Sequence, residues 1–184
     1  LATFNGEQYM REFLDSLVAQ TRVSLVLFVR DDGSRDATLD VIESYAGELD
    51  IRPVPARERK GPALSFLTLL KEAGPEFDAY FFADQDDVWH EEKLHRALRL
   101  LSGHEDVPAL YFARAEYVDH RLCHLGSMPV VRHIGLANAL VENIAMGCTM
   151  ALNGKARELV LGAAPASVIM HDWWAYIVVS AFGT

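Results

Sequence analysis

The sequence predicts an α/β fold: a three-layer α/β/α sandwich in which helices cover both faces of a mainly parallel central sheet. Three features predict it. Short apolar runs of strand length alternate with helical stripes through the first half of the chain. Two of these runs, Leu25-Val26-Leu27-Phe28-Val29 and Ala79-Tyr80-Phe81-Phe82, stop abruptly at acidic clusters. The clusters are Arg30-Asp31-Asp32-Gly33-Ser34-Arg35-Asp36 and Ala83-Asp84-Gln85-Asp86-Asp87-Val88-Trp89. Alternation of this kind implies right-handed crossovers between neighbouring parallel strands. Carboxylates crowded at strand ends repel one another, and a metal, a ligand donor or a helix N-terminus must compensate. The crevice outside those strand ends is also where open α/β sheets bind ligands.

The elements follow in order. Leu1–Phe4 reads as the remnant of a first strand, and Glu7–Gln20 as a helix whose stripe is Tyr9, Met10, Phe13, Leu14, Leu17 and Val18. Leu25–Val29 is a buried strand, and Asp36–Ala46 a helix with Ser34 as its N-cap. Ile51–Pro55 is a short strand, and Pro62–Ala73 a helix with proline in its first turn. Asp78–Ala83 (strand), Glu91–Leu101 (helix) and Ala109–Ala115 (strand) complete the regular half. Beyond it, Tyr117–Leu125 reads as a hairpin arm, Ile134–Val141 as a short helix and Ala145–Leu152 as a strand. Lys155–Leu161 and Asp172–Ala181 are the last helices. No repeat or linker interrupts residues 1–184, which read as a single domain.

Composition narrows the function. With 51% apolar and 23% charged residues, 184 residues can bury roughly 70% of the unfolded surface. A net charge of −9 argues against nucleic acid as a partner, which needs a basic stripe. Cys123 and Cys148 have no metal-type spacing and form no disulfide framework, as suits a reducing cytoplasm. No apolar run reaches the ~18–20 residues of a membrane span. Leu1 already lies inside a strand-like segment, and Ala181–Thr184 closely follow a helical pattern, so both ends read as truncated.

The acidic clusters carry the chemistry. Turn and cap formation accounts for Gly33, Ser34 and Asp36 but not for two adjacent carboxylates directly after five apolar residues. One of that pair, Asp31 or Asp32, is a ligand candidate able to accept the N–H of a nucleobase. In the second cluster, strand alternation places Asp84 and Asp86 on one side and Asp87 on the other. Magnesium or manganese is held by one or two carboxylates plus phosphate oxygens. The alternative is that Asp87 caps the next helix while the others are solvated. Asp84, Asp86 and Val88 are also similar to the nucleophile motif of haloacid-dehalogenase-type phosphatases, in which Asp84 would be phosphorylated and Lys155 would serve as the lysine. In His171-Asp172-Trp173-Trp174, Asp172 reads either as a helix cap or as a carboxylate beside two indoles, where lost solvation would make it a better base.

Taken together the motifs resemble family 2 glycosyltransferases. The matching segments are Leu1-Ala2-Thr3-Phe4-Asn5-Gly6-Glu7, Gln20-Thr21, the Asp-Asp-Gly-Ser-x-Asp-x-Thr string from Asp31 to Thr38, Asp84-x-Asp86, Gly147-Cys148-Thr149 and His171-Asp172-Trp173-Trp174. The resemblance implies a Rossmann-like GT-A fold and inverting transfer from a nucleotide-diphosphate sugar to a glycan or lipid-linked acceptor. It implies that Asp32 pairs with the base, that Ala2 and Phe4 contact the nucleoside, and that Asp84 faces the ribose or sugar. It places Mg2+ or Mn2+ on Asp86, the general base at Asp172, and Lys60 and Gly61 ahead of a pocket-lining helix. Trp173 would stack on an acceptor sugar, and His171 would orient Asp172. The nucleotide belongs to the N-terminal half and the acceptor to the C-terminal half. Ala-Asp-Gln-Asp-Asp-Val-Trp with His-Asp-Trp-Trp looks most like the rhamnosyltransferase branch, with a thymidine-diphosphate deoxysugar donor. A cytoplasmic role in polysaccharide synthesis follows by analogy, with peripheral membrane association through missing segments. A non-catalytic nucleotide-sugar-binding fragment remains the alternative.

Overall fold

The structure is a computed structural model that describes residues 1–163 and 168–184. Strand β1 (Ala2–Thr3) leads to helix α1 (Glu7–Val18), β2 (Val26–Asp31), α2 (Thr38–Glu43), β3 (Asp50–Pro53) and α3 (Gly61–Glu72). Next come β4 (Tyr80–Phe81), α4 (Lys93–Leu101), β5 (Leu110–Phe112), the pair β6 (Glu116–Val118) and β7 (His124–Ser127), and α5 (Leu136–Ala139). A 3-10 turn (Gly147–Thr149), β8 (Met150–Leu152), α6 (Gly154–Gly162) and α7 (His171–Phe182) complete the chain. Among the described residues no helix is long and apolar enough to cross a membrane.

The first half is parallel, as the alternation predicts: β1 pairs with β2 and β2 with β3, in the registers Ala2 with Arg30 and Val26 with Asp50. The second half reverses. Strand β8 runs antiparallel between β4 and β5, pairing Tyr80 with Leu152 and Phe112 with Met150. Of the expected long strand Ala145–Leu152 only Met150–Leu152 is strand. The middle of that stretch, Gly147–Thr149, forms the 3-10 turn, with Gly147 packed against His171 and Asp172. The hairpin β6–β7 stands apart as a two-stranded unit.

Among the described residues a small apolar cluster gathers Ala97, Leu101, Ala109 and Ala151, and two larger ones lie on either side of the sheets. One joins α3, α6 and α7 through Phe66, Leu70, Val160, Tyr176 and Val179, and the other joins α1 and α2 to β2 and Trp89 through Phe13, Leu14 and Ile42. The stripe predicted for α1 holds at Met10, Phe13, Leu14 and Leu17, whereas Tyr9 and Val18 are exposed. Between β2 and β4 lies a cavity of about 320 Å³ with walls that include Leu27, Phe66, Leu70, Phe81 and Trp89. None of the carboxylates of the acidic clusters, nor Asp172, lines it. The chemistry lies elsewhere, at the strand ends.

Candidate active site

The first acidic cluster is mostly a set of stitches between two loops. Asp31 accepts the N–H groups of Gly33 (2.9 Å) and Ser34 (2.8 Å), closing a turn that Gly33 completes at φ +94°. Ser34 is not the helix cap. Its hydroxyl accepts the Asn5 N–H (2.8 Å), while α2 begins later, after Ala37. Asp36 accepts the N–H of Glu7 (3.1 Å) and Thr38 accepts that of Gly6 (2.8 Å), so these side chains satisfy the orphan donors at the start of α1. Glu7 answers by accepting the Ala37 N–H at 3.1 Å. The polar residues of the motif thus hold the β1 and β2 loops in one register.

Asp32 turns towards α3. It accepts the N–H of Gly61 (2.7 Å) and of Lys60 (3.2 Å), and it pairs with the guanidinium of Arg30. Arg30 is 1% exposed and also donates to Ser65 (2.6 Å) and the Glu58 carbonyl (2.6 Å). Burial opposes ionisation of Asp32, but Arg30 and the two backbone donors outweigh it and hold the carboxyl below its ordinary range. Much of its accepting capacity is therefore already engaged. Gly61, at φ +71°, allows the chain to turn its N–H onto Asp32. Beside Asp31, Asp32 and Gly33 a cleft of about 740 Å³ opens, walled by Leu39, Ile42, Val54, Arg57 and Arg59. The Lys60 side chain is exposed, and its contribution here comes from the main chain.

The second cluster departs from strand alternation. β4 ends at Phe81 and a turn forms at Gln85–Asp86, which brings Asp87 round beside Asp84. Ligand atoms of Asp84, Asp87 and Cys148 lie within 4.8 Å of one another, and Asp86 is exposed outside that group. Asp87 caps no helix, since α4 starts at Lys93, and its Oδ2 is buried without a hydrogen-bond partner. Burial, then the charges of Asp87, Asp86 and Asp172, raise the Asp84 pKa to about 6. Burial and then the Asp87 carboxylate push the Cys148 thiol well up, and its soft sulfur is a poor match for a hard cation. The carboxylates, with one orphan oxygen among them, fit a hard divalent cation. Lys93 lies beneath them, 3.6 Å from the centre of the Trp89 ring and bonded to the Cys148 carbonyl. Burial draws its pKa down to about 8, against the pull of Cys148, Asp87 and Asp84.

Asp172, 4% exposed in the first turn of α7, accepts the N–H of Gly147 (2.9 Å) and of Trp173 (2.7 Å). His171 stacks on Phe66 with ring centres 4.1 Å apart, and burial lowers its pKa to about 4 against the charge of Asp172. The tryptophans are tied down. Trp173 donates to the Ala139 carbonyl (2.7 Å), and Trp174 to that of Val160 (3.3 Å). A Cβ at Gly147 would lie 2.8 Å from His171 Nε2 and 3.4 Å from Asp172 Cβ. Gly147→Ala is therefore expected to press on the His171 ring and through it to shift Asp172; with Asp172 as the base, turnover would fall about tenfold. Unchanged steady-state rates in that variant would contradict it.

The residues singled out from sequence thus converge in part. Asp84 senses Asp172, and Gly147-Cys148 connects the two, bonding Asp172 through one residue and meeting Asp84 and Asp87 through the next. Ala2 is half-buried against the core. Phe4 is covered by the Arg59 guanidinium at 3.9 Å from the ring centre, and its main-chain N–H and carbonyl bond to Gln85 rather than standing free. Lys155 pairs with Glu158 (3.2 Å) on the exposed face of α6, which leaves the phosphatase alternative without its lysine. Arg30, Gln85 and Lys93 were not singled out. A basic residue ending a buried strand and a glutamine between two aspartates were the only signals for the first two.

The chain is 35% identical over 106 residues to the dTDP-rhamnosyl transferase RfbG of Shigella flexneri, a match covering 55% of this chain and 36% of RfbG. Among solved structures, S. aureus TarS 1-349 in complex with UDP-GlcNAc superposes with a TM-score of 0.64 at 23% identity, covering 84% of this chain and 44% of that one. The mannosyltransferase PcManGT from Pyrobaculum calidifontis, in complex with GDP-Man and Mn2+, gives 0.68 at 19% identity over 99% of this chain and 51% of that one. The fold is accordingly that of GT-A glycosyltransferases, and the chain spans about a third of RfbG. Residues 1–153, which carry both acidic clusters and the Gly147-Cys148 link, match the family model Glycosyl transferase family 2, and the chain belongs to that family.

Proposed function

We propose that this chain forms the donor-binding and catalytic part of an inverting glycosyltransferase, moving a sugar from a nucleoside diphosphate to a glycan or lipid-linked acceptor. Thymidine-diphosphate rhamnose is the proposed donor, on the strength of the likeness to RfbG. The observation that carries the reading is the Gly147-Cys148 link, which sets a buried carboxylate beside an acidic cluster that fits a divalent cation. The N-terminal half takes the nucleotide, with the base in the cleft beside Asp32 and the nucleoside near Ala2 and Phe4. The C-terminal half presents Asp172 to the acceptor.

Asp84 and Asp87, with the exposed Asp86, would hold Mg2+ or Mn2+. When bound, the cation supplies charge neutralisation for the departing diphosphate. Asp172, fixed by two N–H donors, takes the proton of the acceptor hydroxyl. The acceptor oxygen forms its bond to the anomeric carbon as the carbon–oxygen bond to the diphosphate breaks, and the bonding electrons leave with the diphosphate. Positive charge spreads over the ring as in glycoside hydrolysis. One displacement inverts the centre without a covalent intermediate. Trp173, half-buried beside Asp172, would offer the acceptor sugar an apolar face.

Thermal shift with thymidine, uridine and guanosine diphosphates, each with and without Mn2+, tests the donor side. The thymidine nucleotide with Mn2+ is expected to raise Tm most, by about 5–10 °C at a hundredfold excess over Kd. No shift with any of the three would refute donor binding. A mass-spectrometric transfer assay then separates a catalyst from a domain that only binds.

A further inference from the structure

The geometry points to Gln85 as a positioning residue for donor binding, an amide clamp that sets the distance between the nucleoside loop and the cation-holding carboxylates. The inference rests on the donor site proposed above. Gln85 occupies the tip of the turn between Asp84 and Asp86, far in sequence from the loop it bonds. Its Oε1 accepts the Thr3 hydroxyl (2.6 Å) and the Phe4 N–H (3.1 Å), and its Nε2 donates to the Phe4 carbonyl (3.3 Å). The two main-chain bonds leave the amide no freedom to flip, because an N–H can only donate and a carbonyl can only accept. The contact imitates one rung of a strand pairing where no strand exists.

Two further features mark the clamp as built. Gly6 is buried, and a Cβ there would lie 2.4 Å from Gln85 Oε1, so the β1 loop is shaped around this side chain. The same loop is already bonded to the first acidic cluster through Asn5, Gly6 and Glu7. Gln85 therefore joins the two strand-end clusters: Phe4 and the Asp31–Thr38 loop on one side, Asp84 and Asp87 on the other. A nucleoside diphosphate must touch both at once. Fixing their separation in advance removes an ordering cost from donor binding and leaves the chemical step alone.

Gln85→Ala is expected to raise the donor KM about tenfold, with kcat changed less than threefold and the acceptor KM unmoved. Gly6→Ala, which keeps Gln85 but pushes its amide aside, should raise the donor KM similarly. In the double variant the methyl group occupies the space left by the amide, so the two effects should not add. A merely structural role would lower Tm and active fraction without this split, and additive effects in the double variant would overturn the clamp. Loss of kcat with the donor KM preserved in Gln85→Ala would overturn it too. If the unaltered protein binds no nucleoside diphosphate, the donor-site reading itself fails. If it binds and Gln85→Ala binds equally well, only the clamp fails.

Discussion

Asp172→Asn is expected to lower kcat about 10³-fold while leaving Mn2+-dependent nucleotide binding within a factor of about two. The asparagine matches the carboxylate in size, and its amide oxygen can still accept from Gly147 or Trp173, the two donors of the native site. At most one N–H loses its partner, which costs about 1 kcal/mol of stability. What disappears is the basic oxygen that receives the acceptor proton. Stopped transfer assays give kcat, and calorimetric titration of the nucleoside diphosphate gives the second quantity. Full turnover in the variant would remove Asp172 from the reaction, and simultaneous loss of nucleotide binding would show that the residue only supports the fold.

Asp84→Asn is expected to stabilise the metal-free protein at pH 7.5 and to abolish most of its thermal response to Mn2+. The carboxyl titrates near its ordinary 3.8 in the unfolded chain and near 6 in the folded one, because burial and three neighbouring carboxylates oppose its charge. Below about pH 4 both states carry the proton, and the group contributes nothing to the difference between them. As pH rises from 4 to 6 the unfolded chain ionises first, so folded stability falls, and above 6 the whole penalty is in place. That penalty is on the order of 2–3 kcal/mol, about 5 °C in a chain of this size. His171 acts in the opposite direction. Its pKa, lowered by burial to about 4, makes stability rise with pH over much the same interval. The two slopes partly cancel in the native protein, and Asp84→Asn should expose the rising one. Thermal melts in chelator from pH 4 to 8 measure this, and a variant less stable than the native chain at pH 7.5 would contradict it.

Binding of a cation reverses the Asp84 penalty by supplying the missing positive charge, so the unmodified protein should gain more from Mn2+ at pH 7.5 than at pH 5. Lys93 supplies part of that compensation already, from below the cluster.

Local sequence pattern determined much of this protein. The apolar runs ending in carboxylates located β2, β4 and the site, because burial and strand length leave a direct trace in composition. The helix stripe of α1 and the proline opening α3 did the same for their elements. Which carboxylates act together was decided only in three dimensions. A turn at Gln85–Asp86 broke the two-residue alternation and exchanged Asp86 for Asp87 at the side of Asp84. Asp32 was drawn onto the start of α3, and Ser34 and Asp36 onto the loop before α1, by backbone donors 28 or 29 residues away in the chain. The antiparallel placement of β8 and the joining of Asp172 to the acidic turn through Gly147 and Cys148 likewise rest on contacts between distant residues. Periodicity reports the environment of each residue along its own element; it carries no record of which distant N–H or carboxylate completes that environment.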